Sequence, residues 1–545
     1  MKKQFRLLFL SISFLFTASC YNDDFLKDEL LSNNSVDFLY SSSDGISNAV
    51  VGLYSINREF SQGDFLNGAA TLVLQAKSDL SAAVDGEISL FSNCFWGCGI
   101  GEDWGGNTVY ASFWAKNYKI IDITNSIING GEELIEAGDS SEALLQNIAE
   151  AKVFRAHAYF TLYRMFKNIY INSSITTPEN AFDKPTEPSK KEDIFDLIRQ
   201  DLKFASDNLA YSVTQFGRWN KGAVDHVRAK VEMWYGDDVI DDEGTTGYEA
   251  AASIVDELIA DGGYDLVGAD EVFAGELNHS ETLFAINFEK NTIGGGVFHA
   301  MNWVTVARYS VEPGLKQSID NGGAGFGFMG LNPYAVDLLN ENPDDNRIGS
   351  YYIFEYLYND PETLPAGKSI GDPLDTYDRD GADDFEFKNY FIHQNPSVLK
   401  FLDSSVEAND REHYKNIMVY RLAETYLIGA EAHLEEGNTA KALDYLNKIR
   451  ERAGIDLATT VTIETIFEER ARELAFEGQR WYSLKRKGLL YNYLMDHMNS
   501  DLLNEYYDTA HYNPKDELEP YMVNFKIPDQ IKELLGTEYP QNTGY

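Results

Sequence analysis

The run ERARELAFEGQRWYSLK, from Glu469 to Lys485, constrains the fold more than any other stretch of this chain. Glu469, Glu473 and Glu477 recur every four residues, with Arg470 and Arg472 between them and Arg480 just beyond. On an α-helix that spacing lines three carboxylates along one stripe, within reach of the arginines beside it. Leu474, Phe476, Trp481, Tyr482 and Leu484 add apolar area that must be buried. A helix so charged and so aromatic belongs inside a helical domain, with its acids and bases satisfying one another. The run is therefore expected to be structural and to form no part of a binding site.

Helical patterns recur along the chain at Asp44–Phe60, Trp114–Ile128, Ser141–Lys167, Lys191–Leu209, Lys221–Asp237 and Tyr248–Asp261, with Leu72–Asp79 continuing the frame. Small residues (Ala430, Gly437, Ala440, Ala442) suit the crossings of paired helices, in the manner of a degenerate tetratricopeptide repeat. Two regions break the pattern. From Ser81 to Tyr110, Gly86, Gly97, Gly99, Gly101, Gly105 and Gly106 alternate with Phe91, Phe95, Trp96 and Trp104, which reads as a loop excursion. From Glu271 to Gln394, β-like runs at Thr282–Phe288 and Tyr351–Leu357 are interrupted by Gly294–Gly296, Gly322–Gly330 and the acidic stretch Asp372–Glu386. Long irregular segments of this kind are functional or disordered.

The N-terminus reads as a targeting segment. Lys2, Lys3 and Arg6 precede the apolar run Leu7–Phe16, which is too short to span a bilayer and suits a secretory leader. Thr17-Ala18-Ser19-Cys20 resembles a lipobox, with Thr17 where leucine is usual. On that reading residues 1–19 are removed, Cys20 is acylated, and residues 20–43 form a lipid-anchored tether; Asn22-Asp23-Asp24 resembles a cell-surface signal. Several acyl chains on one cysteine anchor stably where one does not. An ordinary leader with a chance cysteine is the alternative. Cys94 and Cys98 lack the spacing of a four-ligand metal site; export favours a disulfide between them, and two free thiols are the other possibility.

Charge excludes whole classes of partner. A formal net charge of −42 argues against nucleic acid, which needs basic stripes. It also disfavours strongly anionic polysaccharides, unless a local basic patch or bound Ca²⁺ intervenes. With 87 acidic residues, pairs of carboxylates are unavoidable and their spacing identifies no glycosidase. The chain has no nucleophile elbow, P-loop or zinc-protease motif. Tyr377–Asp384 does not fit an EF-hand and reads as a solvated acidic loop, so neither metal nor cofactor is expected.

Five blocks, in order, carry a family resemblance. Trp114, Tyr118, Ile121 and Asn125 match a W…Y..I…N helix, and Glu150–Phe166 is similar to EARFLRAYYYFDLVRLF. Val419–Gly454, with RLAETYLIGAEA leading to LNKIRERAG, precedes the charged run, and Phe525-Lys526-Ile527-Pro528 followed by Gln541–Tyr545 is similar to a closing IP…QNPGY, with Thr543 for proline. The chain thus resembles the SusD/RagB family of outer-membrane nutrient-binding lipoproteins.

The resemblance implies a mainly α SusD-like fold: a tetratricopeptide-like scaffold with long irregular insertions and few short strands. The implied layout is a single domain, 44–545. Its helical scaffold covers about 44–265 with the excursion 81–110, its ligand-side region about 266–415, and its C-terminal helical block about 416–545. The implied function is capture of an oligosaccharide or polysaccharide at the cell surface and delivery to a SusC-like TonB-dependent transporter, without a chemical step. Net charge favours a neutral glycan. A RagB-like peptide-binding subunit is the alternative.

Sugar rings stack their C–H faces on aromatic rings while polar neighbours take the hydroxyls. Candidate ligand contacts are Trp96, Trp104 and Tyr110 with Asp79 and Asn107 in the first irregular region, and Trp303, Arg308, Tyr309, Phe326 and Phe328 in the second. Each of these aromatics has burial beneath a loop as its other reading. Trp114, Phe154, Tyr163, Trp219, Trp234 and Trp481 fall at helical spacing or in the family blocks and are expected in the core.

Overall fold

The computed structural model describes residues 39–62, 74–75, 78–83, 106–172, 175, 180, 183–290, 298–376, 390–497 and 518–545. Cys20, Cys94, Cys98, Trp96, Trp104 and the acidic stretch 377–384 lie outside the described residues. Six helices form the N-terminal scaffold: α1 (Ser43–Arg58), α2 (Gly106–Glu136), α3 (Glu142–Phe166), α4 (Lys191–Asn208), α5 (Lys221–Glu232) and α6 (Gly247–Asp261). Polar side chains start three of them. Ser42 accepts from the Gly45 N–H at 3.2 Å, Asn220 from Ala223 at 2.9 Å and Thr246 from Glu249 at 3.1 Å, satisfying donors that no helical carbonyl reaches. Helix α3 packs between α2 and α4 and buries Phe154, Ala158, Phe160, Leu162 and Phe166, so its apolar residues keep to no single stripe.

The sequence places these helices well but not their ends. Helix α2 begins at Gly106, so the last five residues of the glycine-rich excursion are helical. Helix α5 stops at Glu232, short of Asp237. Within Leu72–Asp79 only Leu74 and Gln75 are helical among the described residues, and Ser81–Ala83 forms strand β1.

The described strands form antiparallel pairs. β2 (Thr282–Ile286) pairs with β6 (Ile417–Arg421), β1 with β3 (Met329–Leu331), and β4 (Tyr352–Ile353) with β5 (Ser397–Val398). Two short helices, α7 (Met301–Thr305) and α8 (Pro333–Asn340), lie in the irregular region. The C-terminal block holds α9 (Leu422–Glu435), α10 (Thr439–Ala453), α11 (Ile463–Leu474), α12 (Arg480–Arg486), α13 (Leu490–His497) and α14 (Asp529–Leu535).

Helices α9 and α10 are the expected pair, with one change in how they meet. Gly429 lies at the crossing: a Cβ there would sit 2.7 Å from the Tyr445 ring. Ala430 and Ala442 are buried, but Gly437 makes the turn at φ +76° and Ala440 is exposed.

The closing segment docks on α3. The Phe525 N–H donates to the Met165 carbonyl at 2.9 Å, and the Asn542 amide donates to the carbonyls of Phe166 at 2.5 Å and Phe525 at 2.7 Å. The Gln541 amide brackets Ile527, accepting its N–H at 2.9 Å and donating to its carbonyl at 2.8 Å. The Met165 and Phe166 carbonyls at this helix end thus find partners in the closing segment, one from backbone and one from a side chain. Trp481 is fully buried with its ring 5.2 Å from that of Phe525. Trp114, Phe154 and Trp219 are also buried, and Tyr163 and Trp234 pack against the same core.

The charged run is structural, but not as one self-paired helix. It breaks after Leu474, where Phe476 adopts φ +67° and Gly478 φ +76°, and resumes as α12. Glu469 and Glu473 are fully buried, so pairing along one exposed stripe is impossible. Their partners come from distant elements. Arg347 reaches Glu469 at 2.7 Å and Glu473 at 3.2 Å; Arg421 reaches Glu473 at 2.5 Å, Glu477 at 2.8 Å and Glu281 at 2.9 Å. Arg452 also contacts Glu473, and Lys400 holds Glu477 at 2.6 Å. Within α11 itself Arg472 and Glu469 approach to 3.6 Å. Burial alone would raise the Glu473 carboxyl, yet Arg452, Arg421 and Arg347 outweigh it and hold it well below the usual range.

Two outcomes follow for stability. Glu473→Ala leaves three arginines facing a void and should cost roughly 3–5 kcal/mol in urea unfolding, as should Trp481→Ala through its cavity. Because the folded Glu473 carboxyl is depressed, its contribution is complete above its unfolded value of 4.5 and is lost as pH falls through the folded value. The melting temperature should therefore fall on acidification below about pH 4.5, and less steeply in Glu473→Gln than in the wild type.

Candidate functional site

Three half-buried aromatic rings meet on the irregular side of the molecule. Trp303 comes from α7, and Phe326 and Phe328 from the glycine-rich turn that leads into β3. The Trp303 ring lies 5.0 Å from both phenylalanine rings, which are 4.4 Å from each other. The glycines around Phe326 make this possible. A Cβ on Gly325 would sit 2.3 Å from the Ala307 carbonyl oxygen, and Gly327, at φ +70°, would place one 2.4 Å from the Ile392 carbonyl oxygen. The turn can then lie flat on α7, where Phe326 donates its N–H to the Trp303 carbonyl at 2.9 Å and Gly327 donates to Val306 at 2.8 Å.

Two exposed arginines border this platform. The Arg308 guanidinium carbon is 4.7 Å from the centre of the Phe326 ring, and that of Arg411 is 4.9 Å from the centre of Trp303. Arg308 is fixed at its backbone, donating to the Ile392 carbonyl at 2.7 Å. Arg411 arrives from the loop ahead of β6, and no sequence pattern connects it to Trp303.

The first irregular region starts beside the platform. In the β1–β3 pair Ala83 faces Met329, the residue after Phe328, and from Ala83 the chain enters residues 84–105, which contain Trp96 and Trp104. Asn107 lies in the first turn of α2, and its side chain is outside the described residues.

Two expected contacts belong to the interior instead. Asp79 is fully buried and takes both arms of Arg480, at 2.9 and 2.7 Å; a carboxylate so placed is a partner for the α12 start, not for a ligand. Tyr309 is fully buried beneath the platform. Its hydroxyl donates to the Gly323 carbonyl at 2.7 Å, its ring stacks on Tyr356 at 5.0 Å, and burial pushes its pKa up to about 12. Tyr110, half-buried, packs its ring 4.7 Å from Phe525 in the scaffold core. Of the candidate contacts, the structure brings Trp303, Arg308, Phe326 and Phe328 together, and adds Arg411, which the sequence reading did not name.

A second concavity, a cavity of about 120 Å³, lies between α1–α3 and the β2–β6 pair. Its His157 bonds the Tyr420 hydroxyl at 2.8 Å, and burial drives the ring down to about 3, so it stays neutral at physiological pH. Among the described residues no group of three or more histidines, cysteines or carboxylates has the arrangement of a metal site.

A helical-pair scaffold with a loop-borne aromatic platform defines the architectural class, and comparison with known proteins gives the family. Residues 281–545 match the model of the SusD family. A SusD-like protein of Bacteroides ovatus is 26% identical over 410 residues, covering 72% of this chain and 68% of its own. One from Formosa agariphila is 24% identical over 580 residues, covering 97% of each. Among solved structures, a laminarin binding SusD-like protein superposes with a TM-score of 0.66 at 24% identity, covering 92% of this chain and 99% of its own. Residues 281–545 are thus a SusD-family segment, and the chain as a whole has the SusD-like fold.

The interior placements separate stability from binding. Asp79→Asn should lower the unfolding midpoint, because Arg480 stays buried without its counter-charge, at a cost of roughly 3–5 kcal/mol. Trp303→Ala, in a half-buried ring, should leave the midpoint nearly unchanged. Urea titration of both variants measures the difference.

Proposed function

We propose that the protein is a cell-surface lipoprotein, anchored through Cys20, that captures an oligosaccharide on the Trp303–Phe326–Phe328 platform. It then passes the sugar to a SusC-like TonB-dependent transporter in the outer membrane. The observation that carries this reading is the platform itself: three clustered aromatic rings reaching solvent, in a chain whose other large rings mostly fill cores. Clustered flat rings offer the faces on which sugar C–H groups stack. Trp96 and Trp104, in the segment entered beside Phe328, extend the platform in this reading, with Asn107 as a polar neighbour. The match to the SusD family supports it, and so does the likeness in fold to a laminarin binding SusD-like protein. Binding and handover involve no bond making or breaking. The formal charge of −42 favours a ligand that is neutral or of low charge density over a polyanion.

Affinity should rest on stacking. Each useful ring contributes on the order of 1–3 kcal/mol by analogy with stacked bases, so Trp96→Ala, Trp104→Ala or Trp303→Ala should weaken binding about 5- to 150-fold. Affinity electrophoresis against a panel of polysaccharides, with melting temperatures of the same variants, tests this. Wild-type affinity in all three variants overturns the site, and binding of peptides instead of glycans would move the protein to the RagB-like class. For the anchor, Cys20→Ala should release the protein from membranes and abolish fatty-acid labelling.

A further inference from the structure

Most of the described arginines in this acidic chain are held by carboxylates, as its 87 acidic against 45 basic residues would lead one to expect. Arg155, Arg218, Arg347, Arg421 and Arg480 each carry an ion pair of 3.0 Å or less. Arg164 has no ion pair among the described residues but is buried between the rings of Phe160 and Tyr482. Arg308 and Arg411 differ from both groups. Each is exposed, neither forms an ion pair among the described residues, and both rest on rings of the same aromatic platform. Of the acids close to them in sequence, Glu312 holds the His393 ring at 2.7 Å, and Glu412 accepts from the Tyr414 hydroxyl at 2.9 Å.

We infer that the platform is built for an acidic sugar, with Arg308 and Arg411 receiving a carboxylate or sulfate ester on an otherwise weakly charged oligosaccharide. This rests on the reading of the platform as a glycan site. The guanidinium fork matches both acid groups in a bidentate way, and both are acceptors an exposed arginine can meet at little conformational cost. Because the two side chains lie on rings at the surface, a ligand acid can draw them off the ring faces without unpacking a core. The arrangement also reconciles a cationic site with an acidic protein. Long-range repulsion rejects densely charged polyanions, while one or two acids on a neutral backbone meet the local pair.

Matched probes separate this inference from the reading beneath it. Wild-type protein is titrated with glucuronate-bearing xylo-oligosaccharides, with the same oligosaccharides after carboxyl reduction, and with singly sulfated galactan oligosaccharides and their desulfated partners. The acid-bearing member of at least one pair should bind more tightly. Arg308→Gln and Arg411→Gln should each weaken that member roughly 10-fold or more while changing its neutral partner by less than about 2-fold. Trp303→Ala should weaken both members. Which pair responds identifies the acid as carboxylate or sulfate. Equal wild-type affinity within every pair, or arginine variants that weaken both members alike, overturns the acidic-sugar inference and leaves the platform standing. Unchanged binding of both members to Trp303→Ala removes the platform itself.

Discussion

Glu473 is a carboxylate without access to water, surrounded by the guanidinium groups of Arg347, Arg421 and Arg452. Each arginine belongs to a different part of the chain. Arg347 lies between α8 and β4, Arg421 ends the strand paired with β2, and Arg452 lies near the end of α10. Removing such charges from water costs several kcal/mol apiece, so the group is stable only when all members arrive together. Further carboxylates complete it: Asp345 and Glu469 on Arg347, Glu281 on Arg421 and Arg452, and Glu477 on Arg421 and Lys400. The helical half and the irregular half of the molecule are joined through this cluster. The platform on the irregular side depends on it for its position relative to the scaffold.

How much of this the sequence discloses depends on what sets each feature. Helices with a regular apolar period, such as α1 and α4, are legible because local spacing decides them. The closing Ile527-Pro528 and Gln541-Asn542 are legible as a family block, and the structure supplies the reason, since the Asn542 amide satisfies the end of α3 and the Gln541 amide holds Ile527. Pairing partners are not legible. Four-residue spacing in the charged run suggests neighbours within one helix, whereas burial forces Glu469 and Glu473 to seek cations far away in sequence. The same blindness affects the site. Asp79 and Tyr309 have suitable chemistry and sit in the right regions, but tertiary packing turns both inward. Arg411 has no motif at all, and only the folded chain brings it to Trp303.

Aromatic residues divide between two tasks, and glycine decides which. In the scaffold, rings interlock at helix crossings and mostly become inaccessible, as Trp219 does against Phe284 with ring centres 3.9 Å apart. On the irregular side, Gly325 and Gly327 let the backbone press against α7 so closely that Phe326 and Phe328 cannot pass beneath it. Large side chains that would otherwise seek a core are held partly in the open. A pre-set surface of this kind lowers the ordering cost of whatever binds to it.

The docking of the closing segment on α3 has a consequence for how the molecule assembles. Asn542 caps a carbonyl 376 positions earlier in the chain, and Phe525, Ile527 and Tyr539 complete a core begun by α1 to α4. Contacts of such sequence separation form late, after the loop between them has been closed. Until then the face of α2 and α3 that carries Tyr110, Trp114 and Phe166 stays open to solvent, a sticky surface on a half-built protein. Folding is thereby gated by the docking of the segment from Phe525 to Asn542, and a nascent copy needs shelter from its neighbours for as long as that segment is missing.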